Sequence, residues 1–275
     1  MAINYAEKYA SKVDERMSLK EMTNIGLNTD YEWDGVNAIY VYDIDTVPLN
    51  DYNMEGASRY GTPVELGDNK TKYELTTDKS FTYTIDERNK KSQSGAKEAG
   101  KALSREIDEV IVPFKDTQRL QVWVNTAVAN DQVISTAVTK SNAYSLVLDG
   151  QEKLTDAKIP LTNRVFYCNS KYYKNLKQDE SFIKASDIAQ KMLVKGQVGE
   201  VDGLKIVVLP ASYFPEGTNA ILVYTKSTIS PSKLKKYIVH HDAPGVNGTL
   251  TEGRIMLETF VLKSKQKAVV AFKEA

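Results

Sequence analysis

The chain has 275 residues, of which 41% are hydrophobic and 26% are charged, values that are ordinary for a folded soluble protein. Lysine plus arginine and aspartate plus glutamate both total 36, so the formal net charge is zero. The absence of a net basic charge argues against nucleic-acid binding or an anionic membrane as the basis of function. Near-zero charge also removes the repulsion that keeps copies apart, which weakly favours self-association.

The single cysteine, Cys168, excludes an internal disulfide framework and a cysteine-based zinc site. The N-terminal sequence has no apolar core like that of a signal peptide. No stretch approaches the ~20 apolar residues of a membrane span. We therefore expect a protein that is made and folds in a cytoplasm, with no membrane partner.

The N-terminus carries aromatic and apolar residues at every fourth position, namely Tyr5, Tyr9, Val13 and Met17. This spacing predicts a short amphipathic helix. Such a helix either docks on its own domain or extends as an arm to a neighbouring molecule, and the pattern supports both interpretations equally.

The next segment predicts an extended hairpin. The run from Ala38 to Leu49 is strand-like, and a polar stretch rich in glycine and proline follows it. Period-2 alternation then predicts a returning strand with one apolar face. The alternating apolar residues are Tyr73, Leu75, Phe81, Tyr83 and Ile85.

Little in this hairpin can cover its apolar side chains. Burial of about seven of them, from Tyr52 to Leu75, is worth roughly 10–20 kcal/mol. Ordering about 25 backbone residues costs roughly 1–2 kcal/mol each, and an isolated two-stranded ribbon is marginal. We therefore expect the hairpin to become ordered against a partner surface. The alternative is a hairpin that folds back over its own domain.

The rest of the chain mixes helices and strands, which predicts an α+β fold without internal repeats. The clearest helix covers 94–112, and Pro113 is expected to end or kink it before a second helix. Further helices are predicted at 141–154, at 170–178 and within 230–250. Strands are predicted at 164–169, 199–210 and 219–225, and the C-terminal run 252–272 predicts two strands around a turn.

Several short patterns invite a chemical interpretation, and none is complete. The stretch 95–102 matches most of a P-loop, but Ala102 replaces the hydroxyl that binds magnesium, and the stretch lies within a predicted helix. His240 and His241 are adjacent and face opposite ways on a strand, which disfavours a shared metal. Cys168 lies in an apolar run typical of buried cysteines. We therefore expect no catalytic residue, no cofactor and no metal site.

Several stretches, in their order along the chain, resemble those of one protein family. They are LTTDKSFTYTIDERN, EIDEVIVPFKDTQRL with Pro113, Asp116 and Arg119, the run from Ser141 to Leu176, KGQVGEVDGLKIVVLP, and the C-terminal block with Glu252, Gly253, Arg254, Val261, Leu262 and Lys265. In this order they resemble the major capsid proteins of tailed bacteriophages with the Hong Kong 97-like fold, of the type found in phages of Firmicutes.

The resemblance implies the organisation of the whole chain. Its parts would be an N-terminal arm (1–37), an E-loop hairpin (38–92), a spine helix with part of a peripheral domain (93–140), an axial domain (141–243) and a return to the peripheral domain (244–275). The implied function is structural: hexamers and pentamers close into an icosahedral shell that encloses double-stranded DNA without sequence-specific binding. The shell would assemble in the bacterial host cytoplasm and form the capsid of the virion.

The resemblance also implies partners and contacts. A separate scaffolding protein and a portal are expected, with a decoration protein as a further candidate. Some family members join E-loop lysines covalently to the next subunit, and Lys70, Lys72 and Lys79 lie in the corresponding region, but we expect no such cross-link here.

We expect tyrosines and charged residues at the subunit interfaces, because tyrosine combines a large contact area with a polar tip and charged pairs set register. These residues are Tyr5, Tyr9, Tyr52, Arg59, Tyr60, Glu65, Asp68, Lys70, Tyr73 and Arg254. Arg254, beside a glycine, is expected to bind a carboxylate or backbone carbonyls.

Three other functions remain open at this point. An encapsulin-like compartment shares the fold class, and a ring-forming tail or adaptor protein would also self-assemble. An enzyme with the hairpin as a lid would require a polar cluster around His240, His241 or Cys168.

Overall fold

A computed structural model describes residues 21–30, 38–56, 58–87, 99–185, 199–201, 203–240 and 243–274. In these ranges the helices are α1 (Ala99–Glu106), α2 (Val112–Ala129), α3 (Ala143–Asp156), α4 (Ser170–Gln178) and α5 (Glu180–Ala185). The strands are β1 (Ala38–Ile44), β2 (Asp68–Glu74), β3 (Thr77–Asp86), β4 (Val133–Ser135), β5 (Arg164–Asn169), β6 (Gly199–Val201), β7 (Leu204–Leu209), β8 (Thr218–Tyr224), β9 (Thr228–Ile229), β10 (Ser232–His240), β11 (Gly248–Leu257), β12 (Phe260–Val261) and β13 (Val269–Lys273). The predicted N-terminal helix with Tyr5 and Tyr9 lies outside the described residues.

The core is a mixed six-stranded sheet covered by helices on both faces. Its strand order is β4-β13-β8-β5-β7-β6. On β5, Val165 and Tyr167 pack in a cluster with Trp123 of α2, whereas Phe166 and Cys168 pack in a second cluster with helices α3 and α4. Because both faces are buried, the strand is an unbroken apolar run, as the sequence predicted.

The helix before the core continues through Pro113. Between α1 and α2, residues Ile107–Ile111 form a π-helical turn, and the Val112 amide donates to the Ile107 carbonyl. Proline lacks an amide hydrogen and crowds the carbonyl four residues earlier, which a wider turn can accommodate. Of the two outcomes predicted for Pro113, an end or a kink, the helix does not end there; the proline lies at the start of α2, directly after the π-helical turn. The predicted start of this helix at Ser94 lies outside the described residues.

A separate three-stranded sheet has the order β10-β11-β3. The helix predicted within 230–250 is wrong, because Ser232–His240 is a strand that pairs antiparallel with β11. The intrinsic helix propensity of a segment is small compared with the cross-strand contacts that a neighbouring strand supplies, so such a segment can become a strand. The two C-terminal strands, β11 and β13, also differ from a simple hairpin, since they belong to different sheets.

The predicted returning strand is divided in two. β2 pairs antiparallel with β1, from Ala38 opposite Glu74 to Ile44 opposite Asp68, whereas β3 pairs with β11. The chain therefore changes sheets between Glu74 and Thr77. We call residues 38–74 the extended hairpin.

Candidate assembly surface

The base of the extended hairpin rests on its own chain. Ile39 is buried in a small cluster with Ile229 and Leu262. The Tyr73 ring lies 5.1 Å from the Phe260 ring, measured between centroids. The hydroxyl of Tyr73 accepts a hydrogen bond of 2.9 Å from the backbone amide of Lys263. Tyr73 thus contacts its own chain, and its role between subunits stays a prediction.

Among the described residues, none gives the distal part of the hairpin such cover. Leu49 is fully exposed, at 101% of its reference surface, and Tyr60 and Met54 are more than four-fifths exposed, at 84% and 83%. The other large apolar side chains of this region that are exposed are Val47, Tyr52, Val64 and Leu66. A set of exposed apolar side chains on one projecting element is typical of an interaction surface.

Only local contacts shape the tip of the hairpin. The Asp45 amide donates to the Gly67 carbonyl at 3.1 Å, which continues the β1–β2 ladder by one step. The Tyr52 and Tyr60 rings meet edge to face with centroids 5.1 Å apart. These contacts define a turn at the tip but do not bury its apolar side chains, as expected from the sequence of this part of the hairpin.

The charged hairpin residues predicted for register are exposed, and most make no charged contact in this structure. Within the described ranges, the Arg59 side chain donates only to the Gly56 carbonyl, at 3.5 Å. Glu65 and Asp68 form no ion pair with any described residue. Lys70 lies 4.2 Å from the Tyr40 ring centroid, and a hydrogen bond with Tyr42 raises its pKa. These side chains are therefore available to a second molecule.

Glu258 holds the point where the hairpin joins the body of the protein. Its Oε2 atom accepts hydrogen bonds from the hydroxyls of Thr76 (2.7 Å) and Thr77 (2.9 Å) and from their backbone amides. Its Oε1 atom accepts from Gln118 of α2 at 3.0 Å. These bonds occupy the amide of Thr76, which lies between β2 and β3, and that of Thr77, the first residue of β3, which explains why one continuous strand does not form.

The pKa of Glu258 is set by two opposed effects. Partial burial alone would raise the pKa of this carboxyl, because it disfavours the charged form. The hydrogen bonds from Thr76 and Thr77 favour the carboxylate and outweigh burial, so the pKa lies below its ordinary value. The junction therefore holds a charged acceptor at neutral pH. Glu258 was not predicted from the sequence as a functional residue. The only sign of its role there is its position as a charged residue between two apolar strands.

A second anchor fixes residues 21–28 to the long helix. Asp116 is fully buried and accepts hydrogen bonds from the Met22 and Thr23 amides, each at 3.3 Å, and from the Thr23 hydroxyl at 2.5 Å. Arg119, also buried, donates to that hydroxyl at 2.9 Å and forms an ion pair with Glu21. The resemblance named Asp116 and Arg119, and the structure shows that they bind the preceding segment.

Arg254 pairs with a carboxylate of its own chain, as expected. Its Nε–H group donates a bifurcated hydrogen bond to both carboxylate oxygens of Asp78 on β3, each at 2.9 Å, and Nη2 also contacts Asp78. The hydrogen bonds and charge of Asp78 raise the pKa of Arg254. The pair is exposed, so its loss should affect folding little. A role of Arg254 in ring assembly stays a prediction.

The possible chemical groups do not converge in the described residues. Cys168 is completely buried, and burial raises the pKa of its thiol. His240 lies in the other sheet, 3.5 Å from the Glu252 carboxylate, and His241 is outside the described residues. The described part of the P-loop-like stretch, residues 99–102, is helical, and its earlier residues lie outside the described ranges.

The described ranges contain no group of three or more His, Cys, Asp or Glu side chains placed to hold a metal ion. Likewise, none of the helices described is both long and apolar enough to cross a membrane.

No protein-family model and no curated protein sequence matches the chain. Its structure, however, resembles solved phage structures over nearly the full length of both chains. One from Mycobacterium phage Che8 is 16% identical and has a TM-score of 0.69, covering 98% of this chain and 97% of that one. The capsid structure of Cyanophage P-SCSP1u gives 9% identity and a TM-score of 0.71, covering 98% and 93%.

A third match is the asymmetric unit of the mature capsid of bacteriophage PhiM1. It is 10% identical, has a TM-score of 0.70 and covers 99% of this chain and 92% of that chain. Such low identities leave the fold as the shared property. The chain thus has the fold of bacteriophage capsid proteins, which confirms the fold expected from the resemblance at this level.

Proposed function

We propose that the chain is the major capsid protein of a tailed phage, with the Hong Kong 97-like form of the capsid fold. Its copies would form the hexamers and pentamers of an icosahedral shell around the phage DNA. The observation that carries this proposal is the near-complete match to phage capsid chains in both directions, 99% and 92% for the PhiM1 mature capsid.

The extended hairpin would act as the interaction arm of this protein. Its base is fixed by Ile39, Tyr73 and the Glu258 junction, while its tip presents exposed apolar side chains. A tip that is covered only by another molecule gives each subunit a contact with a neighbour. Individual contacts can be weak, because every subunit in a closed shell makes several and linked contacts reinforce one another.

The remaining parts of the proposal concern the domain boundaries, the class of protein and its partners. The division into arm, hairpin, spine helix, peripheral domain and axial domain is proposed with the boundaries given above. The protein is proposed to be structural rather than enzymatic and to reside in the virion. A scaffolding protein, a portal and a decoration protein stay predictions, as does enclosure of DNA without sequence-specific contacts.

The test is to shorten the hairpin without disturbing its base. Residues 46–66 are replaced by Asn-Gly, which retains the ladder up to Asp45 and Gly67 and favours a tight two-residue turn. The shortened chain should keep the wild-type circular dichroism spectrum and remain unassembled, whereas wild-type protein should form closed shells in electron micrographs. Closed shells from the shortened chain would contradict the role of the hairpin.

A triple substitution distinguishes the loss of apolar contacts from the effect of a shorter loop. Serine in place of Leu49, Met54 and Tyr60 should also prevent shell formation. The control places serine at three exposed apolar positions of the helical and core region, Val128, Leu148 and Leu161, which are 47%, 42% and 65% exposed. Wild-type protein that yields only monomers would favour the enzyme interpretation, rings or tubes would favour a tail or adaptor protein, and shells without DNA would favour a compartment.

A further inference from the structure

The tip of the extended hairpin is strongly acidic. Between positions 43 and 68 there are six carboxylates and a single basic residue, Arg59, giving a formal charge of 1 − 6 = −5. The six carboxylates are all exposed: Asp43, Asp45, Asp51, Glu55, Glu65 and Asp68. None forms an ion pair with another described residue. We call this segment the acidic tip.

Two adjoining turns at the base of the same hairpin carry the opposite charge. Thr225–Ser227 and Lys263–Ala268 are joined by the Leu262 amide, which donates to the Ser227 carbonyl at 2.8 Å. They present four lysines, of which Lys226, Lys263 and Lys267 are exposed and Lys265 is partly buried. None of the four forms an ion pair in the described part of the chain. We call them the lysine turns.

The acidic tip of one molecule cannot reach the lysine turns of the same molecule. Tyr73, opposite Ile39 on the ladder, is bonded to Lys263 and so marks the end near the lysines. Asp68, opposite Ile44, lies five residues further along the strand, or about 16 Å at ~3.3 Å per residue. The rest of the tip extends beyond this point, whereas an ion pair requires about 4 Å.

We propose that the acidic tip of one subunit docks on the lysine turns of the next subunit. The two complementary surfaces lie at opposite ends of the β1–β2 ladder, so the contact joins different parts of the two molecules. Contacts of this head-to-tail type generate closed rings when the rotation between copies closes. The inference rests on the proposed function, since it names the surface on a second copy that receives the interaction arm.

Nucleic acid is the other anionic partner that four lysines could bind, and the charges favour a second copy. The tip supplies an excess of five negative charges on an exposed element that also needs an apolar contact. Beside the lysine turns, Phe260 is only partly buried, whereas Ile229 and Leu262 are buried. A contact that combines ion pairs with the exposed apolar side chains of the tip fits a protein partner better than a phosphate backbone.

Charge reversal tests the contact on the full chain. One variant carries Lys226→Glu, Lys263→Glu and Lys267→Glu, which leaves the Lys265 hydrogen bond to the Lys226 carbonyl in place. A second carries Asp51→Lys, Glu55→Lys and Glu65→Lys, and a third combines all six changes. The control carries Lys140→Glu, Lys174→Glu and Lys205→Glu, which lowers the net charge by the same amount as the first variant but at exposed positions elsewhere.

Each triple variant of the contact should raise the protein concentration needed for assembly by about tenfold or more at low salt, because like charges then face each other. The variant with all six substitutions should recover assembly, and the control should behave as wild type. Light scattering and electron microscopy measure the assembly of each protein. The inference is overturned if the lysine variant assembles as the control does, or if combining the changes brings no recovery.

The same set of variants distinguishes a failure of the charge contact from a failure of the proposed function. Wild-type shells, together with unassembled protein from the shortened hairpin, support the proposed function even where charge reversal has no effect. Wild-type protein that never associates overturns both. If the lysine variant assembles normally but its particles retain less DNA than the control, the lysine turns bind nucleic acid and the inference is wrong.

Discussion

The hydroxyl of Thr77 donates a hydrogen bond of 2.9 Å to the Glu258 carboxylate, across 181 positions of sequence. The same oxygen accepts from Thr76, and the other carboxylate oxygen accepts from Gln118 of α2. One side chain therefore joins the hairpin, the long helix and the C-terminal part of the chain. Because the hairpin has little cover beyond its base, its direction depends on this junction.

Replacing Glu258 with alanine should loosen the hairpin without unfolding the core. The substitution leaves Thr76, Thr77 and Gln118 without their acceptor, which we expect to cost about 1 kcal/mol because the site is partly open to water. Amide hydrogen exchange should become faster in residues 68–77 while the core strand β5 keeps its protection. The matched control is Glu216→Ala, a glutamate of the loop before β8. Equal exchange in variant and wild type would contradict a role of Glu258 in holding the hairpin.

The junction should also weaken in acid. Because the folded pKa of Glu258 is lowered, its stabilising contribution is complete above the unfolded pKa and is lost as the pH falls through the folded value. The difference in unfolding free energy between wild type and Glu258→Gln should therefore be largest near neutral pH and shrink below pH ~4. Urea titrations of both proteins from pH 7 to pH 3 measure this difference. A difference that grows in acid would mean that the sign is wrong.

Replacing Asp116 with alanine should destabilise the whole domain. The change removes the acceptor of the Thr23 amide and hydroxyl and takes one of two carboxylates, Asp116 and Glu21, away from the buried Arg119. Breaking a buried charged pair from one side costs roughly 3–5 kcal/mol. Chemical denaturation should show this loss, with Asp116→Asn retaining part of the stability.

The matched control for this experiment is Asp108→Ala, an exposed aspartate of the same long helix, which should change stability little. Equal losses in the two alanine variants would show that the buried cluster is not the cause.

Gly150→Ala should destabilise the protein although alanine favours helices. A Cβ atom at Gly150 of α3 would lie 2.6 Å from Cζ of Phe272 and 3.4 Å from Cδ2 of Leu222. Phe272 cannot move easily, because its ring packs against Phe166 with centroids 5.4 Å apart. Overpacking of this kind costs about 1–3 kcal/mol, against a gain of about 0.5–1 kcal/mol from helix propensity.

Thermal unfolding should therefore give a lower midpoint for Gly150→Ala than for wild type. Ser145→Ala, at an exposed position of the same helix, is the control and should leave the midpoint unchanged or raise it slightly. A raised midpoint for Gly150→Ala would show that the sheet yields at this contact.

The local patterns of the chain by themselves predicted most individual elements. The apolar run at 164–169 is β5, the spacing at 141–154 is α3, and the exposed apolar side chains of the hairpin tip were expected from composition alone. These features depend on near neighbours in sequence, through side-chain periodicity and the cost of ordering backbone that buries little.

Contacts between distant residues decided the rest. Glu258 separates β2 from β3, the pairing with β11 makes Ser232–His240 a strand, and a π-helical turn carries the long helix through Pro113. Each outcome depends on a hydrogen-bond or packing partner that lies far away in sequence, and local propensity differences of a fraction of a kcal/mol cannot resist such partners. The charge separation between the acidic tip and the lysine turns likewise becomes visible only when the ladder fixes the distance between them.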